Sequence, residues 1–227
     1  MDMTPKRWNQ TYAYLREVFG SQDEHLAGLM GRAIRAGLPD IAVTPEVGRL
    51  LMILTGLSGP DGRGGRLAIE VGTLAGYSGI WIARGLGPGG RLVTIEAEAL
   101  HADFAERSFA DAGVGDRVEV VRGLALEALP TLGERFGPAS VDLVYLDAVK
   151  TEYADYFRLV SPLIRAGGLL VADNALGTGS TCVPEDPGAT EATRAIDRFN
   201  RLVAGDPAFE AACVPIREGV LIARKRG

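Results

Sequence analysis

Two aspartates and one asparagine stand directly after apolar runs in this 227-residue chain. Asp147 follows residues 141–146, and Asp173 and Asn174 follow residues 169–172. Neighbouring carboxylates repel unless a positive group lies between them, and two carboxylates with an amide oxygen suit Mg²⁺, Mn²⁺ or Ca²⁺ better than a soft metal. A hydroxyl that binds such a cation has a lowered pKa and a fixed direction. The pattern therefore predicts a metal site at these three residues, whereas the alternative, a turn capped by Asp173 with Asn174 in a left-handed conformation, leaves Asp147 unexplained.

A glycine turn and a further acid mark a second predicted site. The segment 70–76, Glu-Val-Gly-Thr-Leu-Ala-Gly, ends one apolar run and opens a helix, where backbone N–H groups can hold an anion. Glu96 ends the next apolar run, a position from which an acid accepts hydrogen bonds from both hydroxyls of a ribose. Together these features favour an adenosine-containing ligand, although Leu74 departs from the G-x-G-x-x-G pattern of dinucleotide binders. The alternative is an ordinary strand-turn-helix connection with a surface glutamate.

Apolar runs and helical periodicity alternate along the chain, and the elements they predict would bring these residues together. Strands are predicted at 66–71, 91–95, 117–121, 141–146, 169–172, 209–215 and 219–223. Helices are predicted at 7–19, 22–36, 76–86, 99–112, 124–135, 152–164 and 189–203, with another that begins at Thr44 and Pro45. The expected fold is a single α/β domain with a Rossmann-like, doubly wound, mostly parallel seven-stranded sheet, to which a C-terminal hairpin adds an antiparallel strand. Residues 1–58 are expected to add N-terminal helices as a cap on a core of residues 66–227, and the irregular segment 176–188 is expected to rim the pocket.

The composition excludes several classes of protein. The chain carries a net charge of −5, which does not favour the wrapping of nucleic acid. It has two histidines, too few for a multi-histidine zinc site, and two cysteines, Cys182 and Cys213, without the spacing of metal ligands. No apolar run reaches the length of about 18 residues that a membrane-spanning helix needs, and the N-terminal residues lack the apolar core of a signal peptide. We therefore expect a cytoplasmic protein with no membrane partner.

Taken together, the motifs resemble those of a known enzyme family. The segments that carry the resemblance are 70–78 (E-x-G-x-x-x-G-Y-S), 95–96, 116–119, 143–150, 167–174 and 184–186. They are similar to the motifs of class I S-adenosylmethionine-dependent methyltransferases and, more narrowly, of the cation-dependent O-methyltransferases, the group of the caffeoyl-CoA and catechol O-methyltransferases. The resemblance extends from the region of residue 40 to the C-terminus.

The resemblance implies a set of cofactor-binding residues. S-adenosylmethionine would be bound at Val43, Glu70, Gly72, Thr73, Tyr77, Ser78, Glu96, Ala97, Leu124, Ala125 and Asp147. In this family pattern Ser78 would bind the methionine carboxylate, Glu96 the ribose and residues 124–125 the adenine. The backbone of Val43 would contact the methionine portion.

The resemblance also implies catalytic residues and a partner. Mg²⁺, or else Mn²⁺ or Ca²⁺, would be held by Asp147, Asp173 and Asn174. Lys150 would accept or stabilise the proton that leaves the acceptor hydroxyl, and Asp147 would be the second catalytic residue. Similarity to this family also implies a homodimer.

The departures from the family pattern, which include Leu124, Val149, Ile41 and residues 219–221, concern the choice of acceptor more than the type of reaction. Leu124 stands where the family commonly has an aspartate, and Val149 replaces the second aspartate of Asp-Ala-Asp-Lys. The expected acceptor is a hydroxyl of a small molecule, such as a catechol-like phenolic or a secondary metabolite. A hydroxylated tRNA nucleoside is an alternative, which a basic rim formed by Arg158, Arg165 and Arg194 would favour. A nicotinamide-dependent oxidoreductase is disfavoured by the missing glycine pattern, and a non-catalytic binding module by the intact acidic and lysine residues.

Overall fold

The computed structural model of the chain describes residues 4–178 and 181–227. Residues 1–3 of the predicted cap and residues 179–180 of the segment 176–188 lie outside the described residues. The helices are α1 (Pro5–Phe19), α2 (Glu24–Arg35), α3 (Pro45–Ser58), α4 (Tyr77–Gly85), α5 (Ala99–Asp111), α6 (Ala125–Phe136), α7 (Tyr153–Val160) and α8 (Glu191–Gly205). The strands are β1 (Leu67–Val71), β2 (Arg91–Glu96), β3 (Val118–Arg122), β4 (Val141–Leu146), β5 (Ile164–Ala172), β6 (Phe209–Val214) and β7 (Val220–Lys225).

Within the described ranges the strands form one seven-stranded sheet in the order β3-β2-β1-β4-β5-β7-β6. Strands β1 to β5 pair in parallel, whereas β7 is antiparallel to both β5 and β6. The prediction of a mostly parallel sheet with an antiparallel C-terminal hairpin is therefore confirmed. The strand order changes direction between β1 and β4, which is the point where sheets of this type bind ligands.

The centre of the sheet is buried on both faces because its strands are mostly apolar. Every residue of β4 is buried, and successive side chains point to opposite faces. Leu143 and Tyr145 pack into a cluster with residues of α2 to α5, while Val144 and Leu146 pack into a cluster with residues of α6 to α8. This packing fixes the carboxyl ends of the strands, from which the predicted site residues project.

The boundary between α7 and β5 differs from the prediction. A helix over 152–164 and a strand over 169–172 were expected, but α7 ends at Val160 and β5 begins at Ile164. Pro162 lies between them and has no N–H to donate, so the hydrogen-bond ladder of the helix cannot continue through it. Ile164 instead pairs with Val141 at the start of β4, and the register shifts before Leu143.

The N-terminal helices pack on the sheet side that carries α4. Val47 and Leu51 of α3 are fully buried in the same cluster as Ile80 and Trp81 of α4. Pro45 occupies the start of α3 as predicted, because its missing N–H would have no helical partner there in any case. No helix in the described part of the chain is long and apolar enough to cross a membrane.

Candidate active site

The carboxyl ends of the five parallel strands lie along one edge of the sheet. The register pairs Val71 with Leu146 and Leu146 with Ala172, so the residue after each strand lies beside its neighbour. The ladder continues one residue further, because the Asp147 N–H donates to the Val71 carbonyl at 2.9 Å and the Asp173 N–H donates to the Leu146 carbonyl at 3.0 Å. Asp147 and Asp173, predicted from separate apolar runs, are therefore adjacent.

A cavity of about 310 Å³ opens beyond the ends of β1, β2 and β3. Its wall is mainly apolar, with a few acidic and aromatic side chains. It is lined by Ile41, Val71, Gly72, Leu74, Ile95, Glu96, Ala97, Glu98, His101, Gly123, Leu124, Ala125, Asp147, Ala148, Val149, Glu152 and Tyr156. Six of the predicted cofactor residues, Gly72, Glu96, Ala97, Leu124, Ala125 and Asp147, lie in this wall.

A smaller cavity of about 50 Å³ shares part of that wall. It is lined by Ile41, Ala42, Val43, Gly72, Thr73, Leu74, Ala75, Tyr77, Ser78 and Asp147. Four more of the predicted cofactor residues, Val43, Thr73, Tyr77 and Ser78, belong to this second wall alone, and Gly72 and Asp147 belong to both. The two cavities together can therefore hold an elongated ligand that passes Gly72 and Asp147.

Gly72 allows the ends of β1 and β4 to approach each other. Its backbone has a φ of +97°, a left-handed value that favours glycine. A Cβ atom at this position would overlap the carbonyl oxygen of Asp147. The close approach that sets Asp147 against both cavities thus depends on the absence of a side chain at residue 72.

The carboxylate of Glu96 is held by backbone N–H groups. Its Oε2 accepts hydrogen bonds from the N–H of Thr73 at 3.1 Å and of Leu74 at 2.8 Å. Its Oε1 accepts from the N–H of Glu98 at 3.0 Å and lies 3.5 Å from Nδ1 of His101. A carboxylate has about four acceptor positions, so Glu96 keeps capacity to accept from a ligand hydroxyl in the large cavity.

Glu70 lies behind the cavity wall. It is fully buried and lines neither cavity, although it was predicted to bind the cofactor. Its Oε2 accepts a hydrogen bond from the Thr94 hydroxyl at 2.7 Å, while its Oε1 has no partner among the described residues. Burial raises the pKa of Glu70 to about 7, although hydrogen bonds from the Ser78 and Thr94 hydroxyls oppose the shift. The structure therefore places Glu70 as a buried acid beneath α4.

Lys150 is fixed against Asp147. Its Nζ donates to Asp147 Oδ1 at 2.6 Å and to the hydroxyl of Tyr153 at 2.8 Å. The Tyr153 hydroxyl in turn donates to the Leu146 carbonyl at 3.0 Å, so the last residue of β4 anchors the pair. These contacts place Lys150 beside the predicted aspartate site, and Tyr153 is a partner that spacing did not reveal.

Asp173 is a buried acid with one oxygen that lacks a hydrogen-bond partner among the described residues. The residue is 2% exposed, and its Oδ1 is buried with no hydrogen-bond partner among the described residues. Burial and the charge of Asp147 raise the pKa of Asp173 to about 6, although the charge of Arg217 opposes the shift. A buried oxygen without a donor fits a site completed by a cation.

Asn174 follows with a φ of +59°, the left-handed conformation that the alternative interpretation expected. The conformation continues a turn, because the Gly177 N–H donates to the Asn174 carbonyl at 2.8 Å. Across residues 4–178 and 181–227, no three or more His, Cys, Asp or Glu side chains form a group that could hold a metal. The predicted set is smaller than such a group, since it has two carboxylates and takes its third oxygen from an amide.

Three side chains near these residues were not singled out by the sequence. His101 approaches Glu96 from the first turn of α5, and Tyr156 donates to Glu152 at 2.5 Å across one turn of helix. Spacing of four residues could have suggested the second pair. Arg217, in the turn before β7, places Nη1 3.7 Å from Asp173 Oδ2.

Two of the three arginines of the predicted basic rim, Arg158 and Arg165, are each paired with an acid. Arg158 pairs with the exposed Asp155 at 2.5 Å. Arg165, near the beginning of β5, pairs with Asp142 near the beginning of β4 at 2.5 Å. Because those strand beginnings lie at the opposite edge of the sheet from the cavities, Arg165 cannot belong to a rim around them.

Comparison with known proteins shows that most of the chain is similar to O-methyltransferases. A model of the O-methyltransferase family matches residues 16–226. A catechol O-methyltransferase of Mycobacterium tuberculosis is 37% identical over 202 residues, which cover 89% of this chain and 86% of the relative. A catechol O-methyltransferase of Niastella koreensis is 35% identical over 199 residues, which cover 87% of this chain and 86% of the relative.

Solved structures of O-methyltransferases are also similar to this chain. An O-methyltransferase from Streptomyces achromogenes that is involved in tomaymycin synthesis, solved in complex with SAM, has a TM-score of 0.85 and 35% identity and covers 100% of both chains. An O-methyltransferase from Bacillus cereus, solved in complex with SAH, also has a TM-score of 0.85, with 32% identity, and covers 97% of this chain and 99% of that one.

Proposed function

The chain belongs to the O-methyltransferase family, and from this premise we propose that it transfers the methyl group of S-adenosylmethionine to a hydroxyl of a small molecule with the help of a divalent cation. The position of Asp147 carries the proposal. The residue lines both cavities and its carboxylate pairs with Lys150, while its backbone is adjacent to that of Asp173. A single residue thus connects the proposed cofactor site with the proposed cation site.

The proposed cofactor site combines the two cavities. S-adenosylmethionine would supply an electrophilic methyl group on a sulfonium sulfur. Ala97, Leu124 and Ala125 would enclose its adenosine in the large cavity, whose volume of about 310 Å³ is in the range of small-ligand pockets. Glu96 would accept from the ribose, since backbone N–H groups already fix the direction of its carboxylate.

The methionine part of the cofactor would occupy the smaller cavity. There Val43, Thr73, Tyr77 and Ser78 form the wall, and Ser78 retains 9% exposure. The hydroxyl of Tyr77 donates to the Gln22 side chain at 2.6 Å, which orients the ring before any ligand arrives. This division of the walls supports one elongated ligand rather than two small ones.

The proposed cation ligands are Asp147, Asp173 and Asn174, and Mg²⁺, Mn²⁺ and Ca²⁺ all suit these oxygens. A cation bound there would lower the pKa of the acceptor hydroxyl and fix its direction. Lys150 would hold the departing proton at Nζ, which its contacts with Asp147 and Tyr153 place beside the same strand ends. The chain would then contribute mainly by positioning the two reactants.

The acceptor class follows from the relatives and from the lining of the pocket. Curated relatives are named catechol O-methyltransferases, and a structural neighbour acts in tomaymycin synthesis. The wall that surrounds Asp147 includes the apolar Ala148 and Val149, with Val149 52% exposed, which suits the ring of a catechol-like phenolic or another aromatic secondary metabolite. We propose such a hydroxyl as the acceptor.

Residues 1–58 are proposed to cap the core as part of a single domain, and α1 is proposed to contribute to a homodimer. The burial of Val47 and Leu51 against α4 supports the first point. For the second, α1 buries none of its own residues, and Tyr14 and Phe19 are 60% and 50% exposed. Sedimentation analysis of the wild type and of Phe19→Ser would test the dimer, which should weaken in the variant.

The central experiment measures binding and transfer separately. Calorimetric titration with S-adenosylmethionine should show binding, and transfer of a labelled methyl group to a panel of catechols should require Mg²⁺ and stop in EDTA. Asp147→Ala should abolish transfer while leaving much of the cofactor binding, and Asp155→Ala, an exposed acid on α7, is the matched control. Cofactor binding without cation dependence would overturn the cation mechanism, and absence of cofactor binding would overturn the methyltransferase proposal.

A further inference from the structure

Arg217 occupies a turn that is tied to the proposed cation site. The turn joins β6 to β7, and the backbone of Arg217 has a φ of +51°, a value that a long side chain rarely adopts. Two hydrogen bonds fix the turn to the segment after Asn174: the Ala175 N–H donates to the Gly219 carbonyl at 2.9 Å, and the Leu176 N–H donates to the Glu218 carbonyl at 2.6 Å. Non-glycine residues in this conformation persist when the surroundings over-determine them.

The guanidinium of Arg217 is directed at Asp173. Its Nη1 lies 3.7 Å from Asp173 Oδ2, is buried, and has no hydrogen-bond partner among the described residues. Its Nε lies 3.1 Å from Glu218 Oε2, and the Arg217 side chain as a whole is 22% exposed. A distance of 3.7 Å is too long for a hydrogen bond, so Arg217 interacts with Asp173 through charge attraction. This attraction offsets part of the cost of burying a donor that has no acceptor.

The aspartates of the proposed cation site therefore each have a positive partner from the chain itself. Lys150 lies 2.6 Å from Asp147, and Arg217 lies 3.7 Å from Asp173. These partners balance two carboxylates that would otherwise repel each other. A divalent cation that binds between the aspartates must therefore approach two groups of its own charge.

We infer that Arg217 is a positioning residue that sets the cation affinity of this site: it competes with the divalent cation for Asp173, and it compensates the charge of Asp173 when no cation is bound. The inference rests on the proposed function, because it requires a cation at Asp147, Asp173 and Asn174. Arg217 would therefore weaken the binding of the cation, and it would stabilise the folded protein when the site holds no cation. Replacement by a neutral side chain should change both properties in opposite directions.

The test is titration with Mn²⁺, followed through the electron paramagnetic resonance signal of the free ion, on four proteins. Arg217→Gln removes the charge and keeps a polar side chain, and it should bind Mn²⁺ roughly tenfold more tightly than the wild type, because a like charge near the cation is gone. Arg217→Lys retains a charge and should stay close to the wild type. Arg226→Gln removes the same charge from an exposed pair with Glu210 on β6, and it should leave Mn²⁺ affinity unchanged.

Melting temperatures in EDTA give the second readout. Arg217→Gln should melt below the wild type without a cation and approach the wild type when Mn²⁺ is added, whereas Arg226→Gln should melt close to the wild type under both conditions. Equal or weaker Mn²⁺ binding by Arg217→Gln, beside normal binding by the wild type, overturns the role of Arg217 and leaves the proposed function intact. Binding by Arg217→Gln alone supports the competition but contradicts cation dependence of the native enzyme. Absence of binding in all four proteins overturns the cation site and this inference together.

Discussion

At the ends of β1 and β2 a carboxylate is held by the backbone, whereas at the ends of β4 and β5 two carboxylates are paired with side chains. Glu96 accepts hydrogen bonds from the N–H groups of Thr73 and Leu74. Asp147 and Asp173 have Lys150 and Arg217 as their positive partners. We call the region of Glu96, Thr73 and Leu74 the backbone-held end. We call the region of Asp147, Asp173 and their positive partners the charge-paired end.

The two ends differ in how firmly their carboxylates are held. Backbone N–H groups are placed by the fold itself, so the backbone-held end keeps its geometry whatever the surrounding side chains do. Side-chain cations can be displaced by another cation, at the cost of reordering long and flexible groups. The first arrangement suits a ligand that must always bind in one orientation, and the second suits a site whose positive partner is exchanged.

The largest expected effect comes from the charge-paired end. Asp173→Asn keeps the size of a side chain that is 2% exposed but removes its charge. Cation-dependent methyl transfer should fall by about a thousandfold, because a cation contributes several kcal/mol of stabilisation to the reacting centre. The affinity for S-adenosylmethionine should stay within about threefold, since that ligand is assigned to the other end.

Calorimetry and transfer assays on the same Asp173→Asn preparation make this comparison directly. Asp155→Asn, which alters an exposed acid on α7, should behave as the wild type in both. A loss of cofactor affinity as large as the loss of transfer would show that the two ends do not act separately.

Substitution of Gly72 should impair ligand binding at both ends, because this residue lies between them. A Cβ at this residue would overlap the Asp147 carbonyl oxygen, and the φ of +97° adds backbone strain. Gly72→Ala should lower the free energy of unfolding by about 3 kcal/mol and weaken the binding of both cofactor and cation. Gly89→Ala is the matched control, because its φ is +71° and no atom lies within 4 Å of the added Cβ; it should cost about 1 kcal/mol and leave binding unchanged. Equal losses in the two variants would mean that strain alone, rather than the overlap, matters at Gly72.

Glu70, a buried acid behind the backbone-held end, should make the stability of the protein depend on pH. Its pKa of about 7 in the folded chain exceeds its ordinary value of 4.5, so the folded state binds the proton more tightly than the unfolded state does. The stability from this group is complete below pH 4.5 and is lost as the pH rises through about 7. Glu70→Gln does not titrate, so its free energy of unfolding should rise relative to the wild type by up to about 3 kcal/mol across that window.

Urea denaturation of both proteins at a series of pH values between 4.5 and 8 measures the Glu70 effect. Glu119→Gln is the control: its carboxylate is paired with Arg135, which holds the pKa below its ordinary value, so any change should be small and of opposite sign. Parallel stability curves for Glu70→Gln and the wild type would contradict the raised pKa.

The sequence predicts the sheet edge well because apolar runs determine where parallel strands end. Asp147 and Asp173 lie side by side as the runs predict, since Leu146 and Ala172, the last residues of two neighbouring parallel strands, are paired. Glu70 was assigned to the cofactor although it precedes Val71 inside a strand, where alternation turns its side chain to a face of the sheet and not to the edge. Pro162 was a visible signal for the end of α7, which the helical periodicity of the following residues obscured.

Arg217 could not be predicted from local pattern. Its approach to Asp173 depends on the antiparallel register that pairs Ala172 of β5 with Leu221 of β7. It depends also on a left-handed turn at a residue that does not favour one. Both are set by long-range packing, so the charge-paired end is only half visible in the sequence, whereas the residues of the backbone-held end are consecutive in short segments.

The smallest expected effect is at Glu96 and is the sharpest test of independence. Glu96→Gln replaces one acceptor oxygen with an NH₂ group that faces backbone N–H donors from Leu74 or Glu98, and it removes the charge. The dissociation constant of S-adenosylmethionine should rise about tenfold, a cost near that of one charge-assisted hydrogen bond. The affinity for Mn²⁺ should not change, because no hydrogen bond or ion pair among the described residues joins Glu96 to Asp147 or Asp173. Asp103→Asn, in an exposed pair with Arg122, should alter the binding of neither ligand. If Mn²⁺ affinity fell with Glu96→Gln as much as cofactor affinity did, the backbone-held end would be supporting the charge-paired end, and their separation would be wrong.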